Sequence, residues 1–286
     1  MTKALRPFGW FFGEMWNILV SIGYPGISHM EGDAVITETA WTPSGRGRTA
    51  DFLNYYWVAF DQGDFRSWNR WRFVSQKHNA PNYYSLGYLT VGGFRYLYDC
   101  PEFMSEGYHL AARRPYNLGA FNTTTKKLTA KRFKHAFKEV CDTMYTLWNA
   151  CAEARRPYIP SEPVTPKTRM YTEYSNNLVV GSDIYAIKKG NVDVPTLVRI
   201  DSTGKEHRIS AFSYDAGRLQ ESAGKLYWSE SIEDERWSLQ THSKVRFMET
   251  GSKKKHTLKN DKLLYNPAPS GDRAAVTVYQ VGGKSG

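Results

Sequence analysis

A proline at every third position separates two parts of the chain whose hydrophobic patterns differ. Four prolines recur within RRPYIPSEPVTPKTR, residues 155–169, and they are Pro157, Pro160, Pro163 and Pro166. Proline fixes φ and lacks a backbone N–H, so this spacing predicts an extended connector. We therefore predict three segments: a domain over 1–156, a proline-rich linker over 157–169, and a second domain over 170–286.

The part before the linker has helical periodicity. In TAKRFKHAFKEVCDTMYTLWNAC, residues 129–151, one apolar stripe is formed by Phe133, Phe137, Val140, Met144, Leu147 and Trp148. Apolar residues at this spacing predict an amphipathic helix packed on a core. Residues 84–98, YSLGYLTVGGFRYLY, predict a second buried helix. We expect this domain to be mainly α-helical.

Short stretches of alternating polar and apolar residues follow the linker, separated by turn signals such as Ser-Thr-Gly. A repeat occurs at an offset of 47 residues, where Val198, Arg199, Ile200 and Thr203-Gly204 match Val245, Arg246, Phe247 and Thr250-Gly251. Repeats of about 40–50 residues built from β-hairpins are typical of propeller blades. We predict an incomplete all-β propeller with two blades and the start of a third. A meander sheet with chance similarity is the alternative.

The net charge of +10 raises the question of an anionic partner, since basic proteins attract nucleic acids and anionic membranes. The clearest basic clusters, at residues 126–140 and 252–256, lack the interleaved stacking aromatics that single-strand binding needs. We interpret both clusters as solvated faces and expect no nucleic-acid partner. Three cysteines without a C-x-x-C spacing argue against a disulfide framework or a structural zinc site.

The beginning of the sequence has Lys3 and Arg6 followed by an apolar stretch, as a signal peptide does. Glu14 interrupts the apolar stretch, and no small-residue cleavage site follows it. Apolar residues at helical spacing predict an amphipathic core helix instead, with Trp10, Phe11, Met15, Ile18 and Leu19 on its buried face. No stretch of the sequence is long and apolar enough for a transmembrane segment.

Three carboxylates and a histidine crowd into HMEGDAVITE, residues 29–38. In a helix, Glu31 and Glu38 share one face, whereas Asp33 points elsewhere. Two carboxylates on one face repel each other unless a cation or a buried proton lies between them. The segment therefore predicts either one corner of a metal site or the polar end of a surface helix.

Two short motifs resemble the gluzincin metallopeptidases. MEGDA is similar to their N-E-G-F-A-type segment, whose glutamate is the third zinc ligand, which implies that Glu31 binds zinc and that Glu38 orients a histidine ligand. Three protein ligands leave one position for water, whose pKa zinc lowers. YYSLGY, residues 83–88, resembles their Y-x-x-G segment, which implies that Tyr84 donates a hydrogen bond to the oxyanion. A packed core tyrosine is the alternative.

Longer strings extend the resemblance over nearly the whole chain: EGDAVITETAWTPSGRGR, RWRFVSQKHNAPNYYSLGY and VPTLVRIDSTGKE. They are similar to a family of Bacteroidetes-type bacterial proteins that join a gluzincin-like peptidase domain to a TolB-like β-propeller. The resemblance implies a peptide or protein substrate. It also implies a cell-envelope or extracytoplasmic location for the full-length protein.

The H-E-x-x-H helix that supplies the two histidine ligands of gluzincins is missing from this sequence. None of the seven histidines has a histidine four residues away, and we interpret most of them as surface or hydrogen-bonded residues. Glu31 would then be one zinc ligand of three. We expect a fragment of a longer protein that binds zinc only at full length, and an isolated chain that is inactive.

The loop SGRGR, residues 44–48, follows the acidic segment. Its arginines, Arg46 and Arg48, are candidates for binding a substrate carboxylate, because a guanidinium binds carboxylates bidentately. A solvated loop is the alternative. The leading functional hypothesis is a fragment of a zinc metallopeptidase whose propeller binds or gates substrate. The second hypothesis is a non-catalytic envelope interaction protein that uses its propeller for binding.

Overall fold

The computed structural model describes most of the chain, namely residues 6–13, 26–114, 117, 119–212, 215–237, 241–260 and 262–279. The chain divides into two compact units. The first comprises Met1–Val74 with Ala80–Pro160, and the second comprises Ser75–Asn79 with Ser161–Gly286.

The first unit is helical. Its helices are α1 (Arg6–Phe12), α2 (Ile27–Trp41), α3 (Asn54–Asp61), α4 (Trp68–Arg72), α5 (Tyr83–Tyr98), α6 (Phe103–Arg113), α7 (Ala120–Thr129) and α8 (Phe133–Glu153), with a 3-10 turn at Arg46–Arg48. The helices predicted near residues 84–98 and 129–151 are confirmed as α5 and α8. In α1, however, Trp10 is 93% exposed and Phe11 is 81% exposed, so these two residues are not core. Met15, Ile18 and Leu19 lie outside the described residues.

Helices α2 and α5 cross at two glycines. A Cβ on Gly32 would lie 2.1 Å from the carbonyl carbon of Gly87, and a Cβ on Gly87 would lie 1.6 Å from the Ser28 oxygen. Only glycine allows two helix backbones to approach this closely. The crossing fixes α2 against α5, and α2 carries His29, Glu31 and Glu38.

An aromatic core fills the first unit around this crossing. Many of its members are fully or almost fully buried, including Tyr56, Phe60, Trp71, Leu86, Phe94, Phe103, Phe121 and Phe137. The apolar face of α8 contributes to it as predicted, since Phe137 and Val140 are buried and Phe133, Met144 and Trp148 pack against the core. The core therefore joins helices from the whole length of the unit.

The second unit consists of antiparallel strands. They are β1 (Thr172–Val180), β2 (Asp183–Gly190), β3 (Thr196–Ile200), β4 (Glu206–Ala211), β5 (Asp215–Ala216), β6 (Gln220–Ser222), β7 (Lys225–Glu233), β8 (Thr241–Glu249), β9 (His256–Thr257), β10 (Leu263–Ser270) and β11 (Arg273–Tyr279). The first sheet has the order β1-β2-β3-β4. The second has the order β5-β7-β8-β9, with β6 also paired to β7, and β10 pairs with β11 in a hairpin.

The repeat found in the sequence falls on equivalent strands of the first two sheets. Arg199 lies on β3 and binds Asp183 of β2 at 3.1 Å, and Arg246 lies on β8 and binds Glu230 of β7 at 3.1 Å. The two acidic residues are separated by the same offset as the two arginines. The turns after these strands also match, because Gly204 and Gly251 both have positive φ, of 79° and 81°. The repeat therefore includes an ion pair that the sequence comparison did not identify.

The predicted fold class, a mainly α-helical gluzincin-like part followed by an incomplete all-β propeller, is wrong. About 38% of the described residues are helix and about 27% are strand, so the class is mixed α and β. The described strands form three small antiparallel sheets, and none of these closes on itself. Local alternation predicts strands and turns, but it does not encode how separate sheets associate.

The compact units divide after Pro160, within the segment that the sequence predicts as a linker. The predicted limits of the two domains stay a prediction.

In the part of the chain that the structure describes, no helix has the length and apolar character needed to cross a membrane.

Candidate ligand-binding cavity

The predicted residues Glu38 and Arg46 bind each other. The Arg46 guanidinium donates to Glu38 Oε2 from Nε at 2.9 Å and from Nη2 at 2.7 Å, and the Arg46 backbone N–H donates to Oε1 at 3.0 Å. The side-chain hydrogen bonds, followed by the backbone one, lower the pKa of Glu38. The arginine is thus the cation that neutralises this carboxylate.

The second predicted arginine, Arg48, turns back onto the same helix. Its guanidinium donates to the carbonyl oxygens of Thr39 and Thr42, the latter at 3.4 Å, at the C-terminal end of α2. Carbonyls at a helix C-terminus lack intrahelical partners and favour a nearby cation. The loop fits closely because a Cβ on Gly47 would lie 2.5 Å from Tyr88 Cζ. The glycines of SGRGR allow this approach, and both arginines fasten the loop to α2.

Glu31 and Tyr84 lie in the same neighbourhood as Arg46. The Arg46 guanidinium lies 4.8 Å from the centroid of the Tyr84 ring. The hydrogen bond to Glu38 raises the pKa of Arg46 most, and the charges of Tyr84 and Glu31 raise it further. Tyr83 packs near Tyr84 with ring centroids 4.6 Å apart. The structure therefore brings Glu31, Glu38, Arg46 and Tyr84 together, between α2 and the N-terminal end of α5.

This neighbourhood does not supply a zinc site from the described residues. No group of three or more histidine, cysteine, aspartate or glutamate side chains close enough to hold a metal occurs among them. The carboxylates face a guanidinium rather than imidazoles, and Asp33 pairs with Arg95 at 2.8 Å. The roles of Glu31, Glu38 and Tyr84 in a zinc site stay predictions. The substrate-binding role of Arg46 and Arg48 also stays a prediction.

A different site lies on the opposite side of α2, at His29. Two residues along a helix correspond to about 200° of rotation, so His29 faces away from Glu31. Its side chain is 4% exposed, and neither ring nitrogen has a hydrogen-bond partner among the described residues. Burial, and next the charge of Arg72, lower the pKa of His29 from 6.5 to about 3. The imidazole is therefore neutral at physiological pH.

Aromatic rings hold His29 in place. The imidazole stacks on Phe121 and lies 5.1 Å from the Trp68 ring, measured between centroids. Trp68 is itself fixed, because its indole N–H donates to Thr90 Oγ1 at 3.0 Å. Phe133 approaches both rings, at 6.1 Å from His29 and 5.5 Å from Trp68. The histidine is thus packed among aromatic rings, and its nitrogens have no hydrogen-bond partner within the described chain.

The His29 ring forms part of the wall of a cavity of about 530 Å³. Its walls include the aromatic rings of Phe65, Trp68, Phe121, Phe133 and Phe137, together with the polar side chains of Ser67, Asn69, Asn122 and His135. Four cationic side chains also line it, Arg66, Arg72, Lys134 and Lys138, and no carboxylate occurs among the described lining residues. Apolar walls with charges of one sign focus the electric field, so the cavity attracts anions.

Two of the four cations are already paired. Arg66 binds Asp64, and Lys138 binds Asp142 at 2.6 Å. The Arg72 guanidinium lies over the Trp68 ring at 4.8 Å. Within the residues that the structure describes, neither Arg72 nor Lys134 forms an ion pair. These two positive charges are therefore available to a ligand.

The sequence interpretation missed this cavity, because it treated most histidines as surface or hydrogen-bonded residues. A local signal existed, since His29 belongs to the small and apolar face of α2, whose buried members are Ser28, His29, Gly32, Val35 and Thr39. The partners of His29 come from α4, α6, α7 and the start of α8. These four helices meet around His29 only when the unit is packed, so a local sequence pattern does not show that they converge.

Comparisons with known proteins identify no relative of this chain. No protein-family model matches it, and neither the curated proteins nor the solved structures contain a match. The resemblance to gluzincin and TolB-like proteins therefore stays a prediction.

Proposed function

We propose that the helical unit binds a small organic anion with a flat ring in the His29 cavity. The observation that carries this proposal is the buried imidazole, whose two nitrogens lack partners in the described chain. A buried polar group without a hydrogen bond costs about 1–3 kcal/mol. Both nitrogens have almost no accessible surface in the described chain. A ligand that displaces the adjacent side chains and hydrogen-bonds to His29 removes this cost and thereby gains affinity.

The chemistry of the cavity defines the ligand class. A neutral imidazole donates from one nitrogen and accepts at the other, so it recognises a polar group on the ring. The aromatic walls favour a flat apolar body through offset or edge-to-face packing. Arg72 and Lys134 favour a negative charge. A volume of about 530 Å³ lies in the range of small-molecule sites.

Isothermal titration calorimetry with 2-naphthoate and 2-naphthamide tests this proposal on the whole chain. The two probes share one ring system and differ in charge. We expect the carboxylate to bind about tenfold more tightly than the amide, since hydrogen bonds to charged groups are the stronger ones. Equal affinities, or no binding of either probe, would contradict the proposal.

Two matched variants locate the binding. Arg72→Gln removes a charge from the cavity wall, whereas Arg70→Gln removes an exposed charge from the same helix, outside the cavity. We expect the first variant to weaken 2-naphthoate binding and the second to leave it unchanged. His29→Phe removes the polar group and is expected to weaken both probes. If neither His29→Phe nor Arg72→Gln changes the affinity for 2-naphthoate, the probe does not bind in the His29 cavity.

The sequence resemblance implies a second candidate, a zinc metallopeptidase, and the structure places its two candidate residues, Glu31 and Tyr84, near each other around Arg46. In this proposal Glu31 binds zinc and Tyr84 donates to the oxyanion, in a full-length envelope protein acting on a peptide or protein. The alternative is a non-catalytic envelope interaction protein. Elemental analysis of the full-length protein separates the two: about one zinc per chain is expected of the peptidase, and no zinc would exclude it.

A further inference from the structure

A second, more open groove of about 630 Å³ adjoins the His29 cavity. The two share Asn69, Asn122, Phe133 and Lys134 as lining residues, so they lie side by side. The groove is also lined by Thr123, Lys126 and Arg132. Like the cavity, it has no carboxylate among its described lining residues.

Three cations in this groove are free of ion pairs. Lys126, Arg132 and Lys134 pair with no acidic side chain in the described chain, whereas their neighbours Lys127, Lys131 and Lys138 pair with Glu106, Glu139 and Asp142. The groove therefore contains the unneutralised charges of this basic region. The same region was interpreted from the sequence as a solvated face.

The groove also contains the N-terminal end of α8, a helix of 21 residues. The N–H groups at a helix N-terminus lack intrahelical partners and carry the positive end of the helix dipole. Arg132 at the N-cap makes no side-chain capping bond, and the first turn has no acidic residue. Cations at this end of a helix are unfavourable, and a bound anion removes the repulsion.

His29 provides an independent indication of a ligand. It is almost fully buried, unpartnered within the described residues, and part of the wall of the cavity that Phe133 and Lys134 also line. The buried imidazole thus lines the cavity, the free cations Lys126 and Arg132 line the adjoining groove, and Phe133 and Lys134 line both. A single ligand that has a ring at one end and an anion at the other can contact all of them.

We propose that the ligand is a phosphomonoester of a flat ring, with its phosphate at the N-terminus of α8 against Lys126, Arg132 and Lys134 and its ring in the His29 cavity. This proposal rests on the proposed binding function and specifies its ligand class. Phosphate suits the groove because it carries more charge than a carboxylate and presents three acceptor oxygens. Backbone N–H groups and cations at a helix N-terminus form an established kind of phosphate site.

Calorimetric titration of the full chain with 2-naphthyl phosphate, 2-naphthoate and inorganic phosphate tests the assignment. We expect 2-naphthyl phosphate to bind about tenfold more tightly than 2-naphthoate, because it adds charge-assisted hydrogen bonds. Inorganic phosphate is expected to compete with 2-naphthyl phosphate, at lower affinity. Equal affinity of the two naphthyl compounds would overturn the phosphate assignment.

Variants in the groove separate this inference from the proposed function. Lys126 and Arg132 line only the groove. Lys126→Gln and Arg132→Gln should each weaken 2-naphthyl phosphate binding about tenfold and leave 2-naphthoate unchanged. Lys127→Gln, at the adjacent position of the same helix, is the matched control and should leave both unchanged. An effect no larger than that of Lys127→Gln would overturn the phosphate site.

The two proposals fail in different ways. If 2-naphthoate binds as expected but the groove variants have no effect, the phosphate site is wrong and the cavity function stands. If 2-naphthyl phosphate binds and responds to Arg132→Gln but not to His29→Phe, the ring does not occupy the cavity. The proposed function is then wrong, and the assignment of a phosphomonoester with its ring at His29 fails with it.

Discussion

The imidazole of His29 stacks on the ring of Phe121, with centroids 4.4 Å apart and ring planes 11° apart. Stacking gives the face of the imidazole a packing contact. It gives no hydrogen bond to the two nitrogens, which lie at the edge of the ring. In the described chain these nitrogens have no partner, and the ring borders the aromatic cavity. The proposed binding function rests on these two unpartnered nitrogens.

The first prediction concerns the pH dependence of stability. The folded His29 has a pKa of about 3, and its ordinary value is 6.5. Below that ordinary value the unfolded chain gains a proton that the folded chain does not, so the free energy of unfolding falls as pH falls towards 3. Between pH 7 and 5, wild type should lose about 2 kcal/mol relative to His29→Phe.

Urea unfolding followed by circular dichroism at both pH values measures this difference. His109→Asn changes an exposed histidine outside the cavity, and it should retain the pH dependence of wild type. A His29→Phe variant with the same pH dependence as wild type would show that His29 is not buried in its neutral form.

The second prediction concerns the crossing of α2 and α5. Gly87→Ala places a Cβ within 1.6 Å of the Ser28 backbone oxygen, so the helices must separate. We expect a loss of about 3 kcal/mol or more in the free energy of unfolding. Gly92→Ala, on the same helix, has Ile36 Cδ1 at 3.6 Å as its nearest neighbour and is the matched control. It should gain up to about 1 kcal/mol from helix propensity.

Urea denaturation of both alanine variants compares the two positions under the same conditions. Similar stabilities for Gly87→Ala and Gly92→Ala would contradict the close crossing.

The third prediction concerns the arginine loop. Glu38→Gln removes the charge that binds Arg46 through three hydrogen bonds, so the loop opens more often. Limited digestion with trypsin should then cleave after Arg46 and Arg48 roughly threefold faster. Glu153→Gln breaks an exposed ion pair with Arg156 elsewhere in the unit and should leave these rates unchanged. Unaltered cleavage in Glu38→Gln would mean that the ion pair does not hold the loop.

The fourth prediction uses the repeated ion pairs of the sheets. Glu230 is 3% exposed, and after Arg246→Met its remaining cation is Lys255 at 3.9 Å. Because this second contact is long, the variant should cost up to about 3 kcal/mol. Arg199→Met is the matched variant in the first sheet, where the partner Asp183 is partly exposed, and should cost about 1 kcal/mol. The double variant Glu230→Met, Arg246→Met should recover much of the loss.

Thermal and urea unfolding of these variants rank the two pairs. Equal costs for Arg199→Met and Arg246→Met would contradict the difference in burial.

Single elements were predictable from the sequence because their patterns are local. The apolar stripe of α8 and the run that forms α5 required only the helical period. The 47-residue offset between Arg199 and Arg246 identified equivalent strands. It did not identify the acidic residues that pair with these arginines. The fold class was not predictable in this way, since three open sheets and a closed propeller share the same alternation.

The candidate site was less predictable, because it depends on packing between distant segments. The sequence indicated a polar cluster around Glu31, and the structure places Glu38 with Arg46 there, but no sequence pattern connects His29 with Phe121 or Phe133. An arginine of the SGRGR loop can point towards a ligand or back onto α2. Which of the two occurs depends on how closely the loop backbone at Gly47 packs against Tyr88, and a sequence motif does not specify this.

The most direct measurement of the central claim is ¹⁵N NMR of histidine-labelled protein, with the His29 signals assigned by comparison with His29→Phe. We predict a neutral imidazole at pH 6, where an unperturbed histidine is largely protonated, and a shift of its ring nitrogens when 2-naphthoate is added. A His29 that is protonated at pH 6, or whose nitrogens are unaffected by a bound probe, would contradict a buried, neutral imidazole that binds a ligand.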